Sequence, residues 1–190
     1  MVKEVIKKSL DDHRNCLECL EDNAEIIHQI TTSFIQALQA KGKILFMGNG
    51  GSAADSQHLA AELIGRFKKN RASLAAIALT TDTSILTAVG NDFGFEDIFS
   101  RQIESLANPN DIVVGISTSG KSANVIKAIK KAKERGIKTV AFLGGDGGDL
   151  KQIVDLAFIV PTTDTPRIQE MHILAGHIIC EIVEGHFTQK

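Results

Sequence analysis

The sequence predicts an α/β fold, with helices packed on a five-stranded parallel sheet. Three observations predict it. Five short apolar runs, rich in β-branched residues, are bounded by turn residues. Segments with helical spacing of apolar positions separate them. Glycine- or serine-rich turns follow the runs ending at Met47, Ile116 and Leu143, as expected at the ligand-binding carboxyl ends of parallel strands.

The elements follow in order. Val5, Ile6, Leu10, Leu17 and Leu20 fall at near-helical spacing and predict a helix over about 2–22. Asn23 is a plausible cap for a second helix, carrying Ile26, Ile27, Ile30, Phe34, Ile35 and Leu38 and ending at Gly42. Two amphipathic helices before the first strand are unusual for a simple doubly wound domain. They suit cover for the sheet or a contact with another copy, the first helix being the better candidate for that contact. Ile44–Met47 is the first strand and Ala53–Ile64 the helix after it. Arg66–Arg71 is a basic loop, Ala75–Leu79 a weaker strand, Thr80–Val89 a helix and Gly90–Gly94 a loop. A further helix runs from Phe95 to about Ala107, with Pro109 beyond it. Asp111–Ile116 is a buried strand, Ser122–Arg135 a helix stopped by Gly136, and Lys138–Leu143 the next strand. Gly144–Gly148 reads as a tight turn and not a binding site. Leu156–Val160 is the last strand, and Pro166 opens a final helix to about Phe187. The reading is one domain over 1–190, with a helical arm at 1–42 and the α/β sandwich at 43–190.

Composition narrows the function. At 43% hydrophobic and 23% charged, the 190 residues are ordinary for a globular domain. No run of about 18 apolar residues is present, so no membrane partner is expected, and a cytoplasmic location is. The charge balance, 21 − 23 = −2, and the lack of Trp and Tyr give no argument for nucleic acid. Cys16, Cys19 and Cys180 do not form a disulfide framework; the Cys16-x-x-Cys19 pair, inside a helical segment, is expected to pack as small hydrophobes.

The chemistry concentrates after the first strand. Gly48-Asn-Gly-Gly-Ser52 lets backbone N–H groups approach an anion, and a helix start adds its positive dipole end. His58 and Glu62, four apart, share a helical face beside that turn. They offer a metal-capable imidazole and a carboxylate base. After the third strand, Gly115-Ile-Ser-Thr-Ser-Gly-Lys-Ser122 matches the G-x-x-x-x-G-K-[ST] nucleotide loop. Its hydroxyls at Ser117, Thr118, Ser119 and Ser122 equally suit one compact sugar phosphate, or a simple turn and cap. Asp146 is a poor match for the magnesium-holding Asp a nucleotide loop requires.

Taken together, Gly48–Glu62, Ala88-Val-Gly-Asn-Asp92, Ser117–Ser122 and Arg167-Ile-Gln-Glu-Met-His172 with His177 resemble the sugar isomerase (SIS) family along nearly the whole chain. The resemblance implies a flavodoxin-like three-layer sandwich and a homotetramer with active sites at subunit interfaces. It implies isomerisation of sedoheptulose 7-phosphate to D-glycero-D-manno-heptose 7-phosphate, a first step towards the heptose of lipopolysaccharide core or other surface glycans. It also implies one zinc ion per subunit, on His58, Glu62, Gln169 and His177, and sugar contacts at Asn49, Gly50, Gly51, Ser52, Glu62, Asn91, Asp92, Ser117, Thr118, Ser119, Ser122 and Gln169. Glu62 is then the base and His177 the acid or proton shuttle. Alternatives from other classes are a non-catalytic SIS scaffold that binds the replication initiator protein, and a nucleotide enzyme using the Gly115–Ser122 loop. Keeping both Glu62 and His177 argues against the scaffold.

Overall fold

The computed structural model describes residues 1–188. In chain order it comprises α1 (Val2–Asp22), α2 (Ala24–Gln39), β1 (Ile44–Gly48), α3 (Gly51–Ile64), β2 (Ala76–Ala78), α4 (Thr83–Asp92), α5 (Ser100–Leu106), β3 (Ile112–Ser117), α6 (Ala123–Glu134), β4 (Lys138–Gly144), β5 (Leu156–Val160) and α7 (Thr165–Thr188), with short 3₁₀ turns at Phe95–Asp97 and Leu150–Gln152.

All strand pairs are parallel and the order is β2-β1-β3-β4-β5. This is the flavodoxin-like order, with its switch point between β1 and β3. Alternation along each strand builds two cores, because successive side chains point to opposite faces. Ile44 and Phe46 of β1 join Ile112, Val114, Val140 and Phe142 in a core covered by α2, α3 and α7. Leu45 and Met47 join Val113, Ala141 and Leu143 beneath α5 and α6. The result is the expected three-layer sandwich. β1 and β3 are buried along their full length, which explains their unbroken apolar reading.

Several boundaries differ from expectation for local reasons. α3 starts at Gly51, because Gly50 C=O already accepts from the N–H groups of Ala53 and Ala54. α4 starts at Thr83, where Asp82 Oδ1 caps it by accepting from Ile85 N–H at 2.9 Å. The single helix expected over 95–107 is broken. Asp97 pairs with Lys127 of α6 at 2.8 Å and accepts from Ser100 Oγ at 3.1 Å, so a 3₁₀ turn precedes α5.

α1 lies outermost. Cys19 is its one buried residue, while Val2, Val5, Ile6 and Leu10 are all more than half exposed. Cys19 packs into the first core as a hydrophobe, and burial pushes its thiol up to about 11.

Candidate active site

α3 and α7 form a seam, and the close approach at Gly176 creates it. A Cβ there would come within 2.6 Å of Leu59 Cδ2. The next residue, His177, is thereby set against His58: their Nε2 atoms are 3.2 Å apart. His58 Nε2 in turn lies 3.1 Å from Glu62 Oε1. The three groups offer donor atoms all within 4.8 Å of one another, the one such group of three or more His, Cys, Asp or Glu among the described residues. Burial and the neighbouring His58 hold the His177 imidazole below its usual range, against an upward pull from Glu62. Phe67 packs against the His177 ring, centroids 5.3 Å apart and planes 31° apart. Asp55, one turn before His58, has a buried Oδ2 without a hydrogen-bond partner, and burial pushes its carboxyl up.

The donor set suits zinc. Tetrahedral zinc with bonds of roughly 2.0–2.2 Å to N and O sets its ligand atoms about 3.4 Å apart. The His58–His177 and His58–Glu62 spacings of 3.2 and 3.1 Å are close to that. Three of the four expected ligands are therefore gathered. Gln169 lies two turns earlier on α7, with its carboxamide over Gly51; a Cβ on that glycine would collide with Gln169 Nε2.

The two turns expected to hold substrate meet at the switch point. Asn49 and Asn124 exchange two amide hydrogen bonds of 2.9 Å, tying the turn after β1 to the start of α6. Asn124 Oδ1 also accepts from Val125 N–H. The Asn49 carboxamide is thus partly engaged within the protein. In the second turn, Ser117 and Ser122 hydroxyls lie 2.9 Å apart, and Ser119 Oγ accepts from Lys121 N–H at 3.2 Å. Gly115 is not part of that turn. It is a β3 residue whose missing Cβ makes room for Val125, so the nucleotide-loop pattern is met in letters and not in shape. Thr118 and Ser119 line a cleft of about 820 Å³ with Gly144, Asp146, Thr162 and Thr165. The Gly144–Gly148 turn, expected only to reverse the chain, forms part of its wall. Gly50 and Ser52 stand at the first turn, Ser52 being buried. Asn91 and Asp92 end α4, bonded to each other at 2.8 Å and exposed, without a hydrogen bond to the His58 cluster among the described residues.

Residues 10–144 match the SIS domain family. Over the full length of both chains, this one is 52% identical to the phosphoheptose isomerase of Helicobacter pylori strain P12. The chain belongs to the phosphoheptose isomerase family. Another phosphoheptose isomerase, from Aquifex aeolicus, is 53% identical over 189 residues, covering 100% of this chain and 97% of its own. Among solved structures, the phosphoheptose isomerase of Neisseria gonorrhoeae superposes with a TM-score of 0.92 at 43% identity, covering 97% of this chain and all of that one. That of Francisella tularensis also gives 0.92, at 33% identity, with 97% and 99% covered. As a phosphoheptose isomerase, the chain is an enzyme, so the scaffold and nucleotide readings fall away.

Sequence reasoning missed several residues that build the site. Asn124, Gly176, Phe67, Arg71 and Glu184 have no motif of their own. Arg71, read only as part of a basic loop, is 2% exposed at its side chain. Its guanidinium donates to the C=O groups of Glu62 and Leu63 at 2.7 Å and so caps the end of α3.

Proposed function

We propose that the chain interconverts D-sedoheptulose 7-phosphate and D-glycero-D-manno-heptose 7-phosphate through an enediol. The observation supporting this most is the His58–Glu62–His177 cluster, 3.1–3.2 Å between neighbours, on the α3–α7 seam of a chain of the phosphoheptose isomerase family. The Ser117–Ser122 turn and the α6 N-terminus hold the phosphate with hydroxyls and N–H groups. Asn49–Ser52, Asn91, Asp92 and Gln169 orient the sugar hydroxyls. Glu62 removes a proton from C1 of the ketose and returns it to C2, while the electrons of the C1–H bond become the C1=C2 bond of the enediol. His177 moves the balancing proton between the oxygens on C2 and C1.

His58, Glu62 and His177 would hold a divalent cation, zinc by the donor set, which would supply polarisation of the carbonyl when bound. Gln169 serves the sugar at Gly51, and joins the ion only by swinging away from that glycine. The assembly is a homotetramer in which α1 supplies an apolar contact and the active sites lie at subunit interfaces.

Proton NMR of sedoheptulose 7-phosphate with the protein and added zinc tests the reading. New anomeric signals of the aldose phosphate are expected, with deuterium entering at C2 in D₂O. A spectrum that stays unchanged with folded, zinc-supplied protein would refute it.

A further inference from the structure

Glu184 lies on α7, two turns beyond His177, and is 1% exposed. Its carboxylate accepts three consecutive backbone N–H groups: Phe67 at 2.8 Å, Lys68 at 2.7 Å and Lys69 at 2.8 Å. Arg71 Nε lies 3.5 Å from the same carboxylate, with both side chains 2% exposed. Burial alone would raise the Glu184 carboxyl; the three N–H groups and Arg71 outweigh it and hold the group below its usual range.

A buried carboxylate that gathers three successive N–H groups fixes a short loop as a rigid body. Here the loop leads from α3, which carries His58 and Glu62, to β2. Its one aromatic side chain, Phe67, lies against the His177 ring. Arg71, on the same anchor, caps the carbonyls of Glu62 and Leu63. One ion pair therefore braces two elements that touch the cluster: the end of the helix bearing Glu62, and the Phe67 ring packed against His177.

We infer that Glu184 is a positioning residue, acting through the 67–69 loop to hold Phe67 against His177 and so fix the imidazole for metal capture and proton transfer. The inference rests on the proposed roles of the cluster. Residues that orient a metal-binding imidazole from outside the ligand shell typically change affinity or activity about 10–100-fold when lost. The brace carries no ligand and touches no substrate, so its loss acts on zinc affinity and kcat and leaves KM nearly unchanged.

The test measures two independent quantities on full-length variants of confirmed far-UV circular dichroism. One is the zinc dissociation constant, by competition with a chromophoric chelator. The other is kcat and KM for sedoheptulose 7-phosphate. Phe67→Ala is expected to weaken zinc about tenfold and lower kcat about tenfold, with KM within threefold. Phe67→Tyr keeps the ring and is expected to restore both. Glu184→Gln removes the charge and is expected to give the same losses as Phe67→Ala. The double variant should then be no worse than Glu184→Gln alone, because both act along one path. The inference is overturned if folded Phe67→Ala keeps parental zinc affinity and kcat within twofold, if Phe67→Tyr loses as much as Phe67→Ala, or if the Glu184 and Phe67 losses multiply. Should Glu184→Gln not fold, Glu184→Asp, which keeps the charge and shortens the anchor, takes its place with losses in the same direction expected, and a folded Glu184 variant with parental zinc affinity and kcat overturns the inference. Zinc affinity reads the brace even for a protein that turns over no heptulose phosphate, so failure of the proposed activity and failure of the brace are distinguishable.

Discussion

Glu62 presents Oε1 to His58 at 3.1 Å, with its side chain 22% exposed, and the proposed chemistry asks it to take a proton as well. An amide in its place keeps the shape and one ligating oxygen but accepts no proton. Glu62→Gln is therefore expected to lower kcat by about 10²–10⁴-fold with circular dichroism unchanged, read in the NMR assay; near-normal turnover would remove Glu62 as the base. A second residue makes a prediction about stability. His172 is fully buried, with Nε2 at 3.0 Å from Leu143 O and Nδ1 without a partner. Burial lowers its pKa from 6.5 to about 4, against the upward pull of the Leu143 carbonyl. The unfolded chain thus binds a proton below pH 6.5 that the folded one refuses until about pH 4. Stability contributed by the neutral ring is complete above pH 6.5 and falls as pH drops from 6.5 to 4, by on the order of 3 kcal/mol. Urea midpoints across that range should show the decline, and His172→Gln should flatten it. His58 and Glu62 could be paired from the sequence because a one-turn spacing is local. Arg71 and Glu184 could not, since their partnership spans a loop and most of the chain.

The second turn depends on a neighbouring one. Gly120 has φ +65°, and a Cβ on it would collide with Gly147 O. Its carbonyl accepts from Leu150 N–H at 3.1 Å, so the Ser117–Ser122 turn is backed by the turn after β4. Gly120→Ala is expected to destabilise the fold by roughly 2 kcal/mol, from left-handed strain and the clash together. A urea midpoint equal to that of the parent would show that the backing does not matter. The same loop reads as a nucleotide motif in sequence, where the packing of Val125 against the Gly115 backbone is not visible. The seam of α3 and α7 was similarly hidden. Gly176 sits in an apolar helix with nothing nearby in sequence to mark it as the contact that brings His177 to His58.

Across the described residues, α1 is a long helix without a full partner. Val2, Val5, Ile6 and Leu10 expose apolar surface on a helix whose single buried residue is Cys19. A second copy is the natural cover under the proposed tetramer. Val5→Glu with Leu10→Glu is expected to shift the sedimentation coefficient to a smaller species while far-UV circular dichroism is retained. An unchanged coefficient would place the contact elsewhere. Periodicity and turn chemistry, which depend on residues close in the chain, were enough to read the five strands, the helices between them, the glycine turn and the His58–Glu62 pair, while the three layers came from the family resemblance. The strand order was not among them. Hydrogen bonding of β3 beside β1 brings the two turns together and lets Asn49 and Asn124 join across 75 positions. Likewise His177, which sits in an apolar helix with no local partner motif, becomes part of a metal-capable cluster through packing of α7 on α3. Local pattern specifies each element, whereas a site made from side chains more than a hundred residues apart exists only once burial of the apolar faces has set those elements side by side.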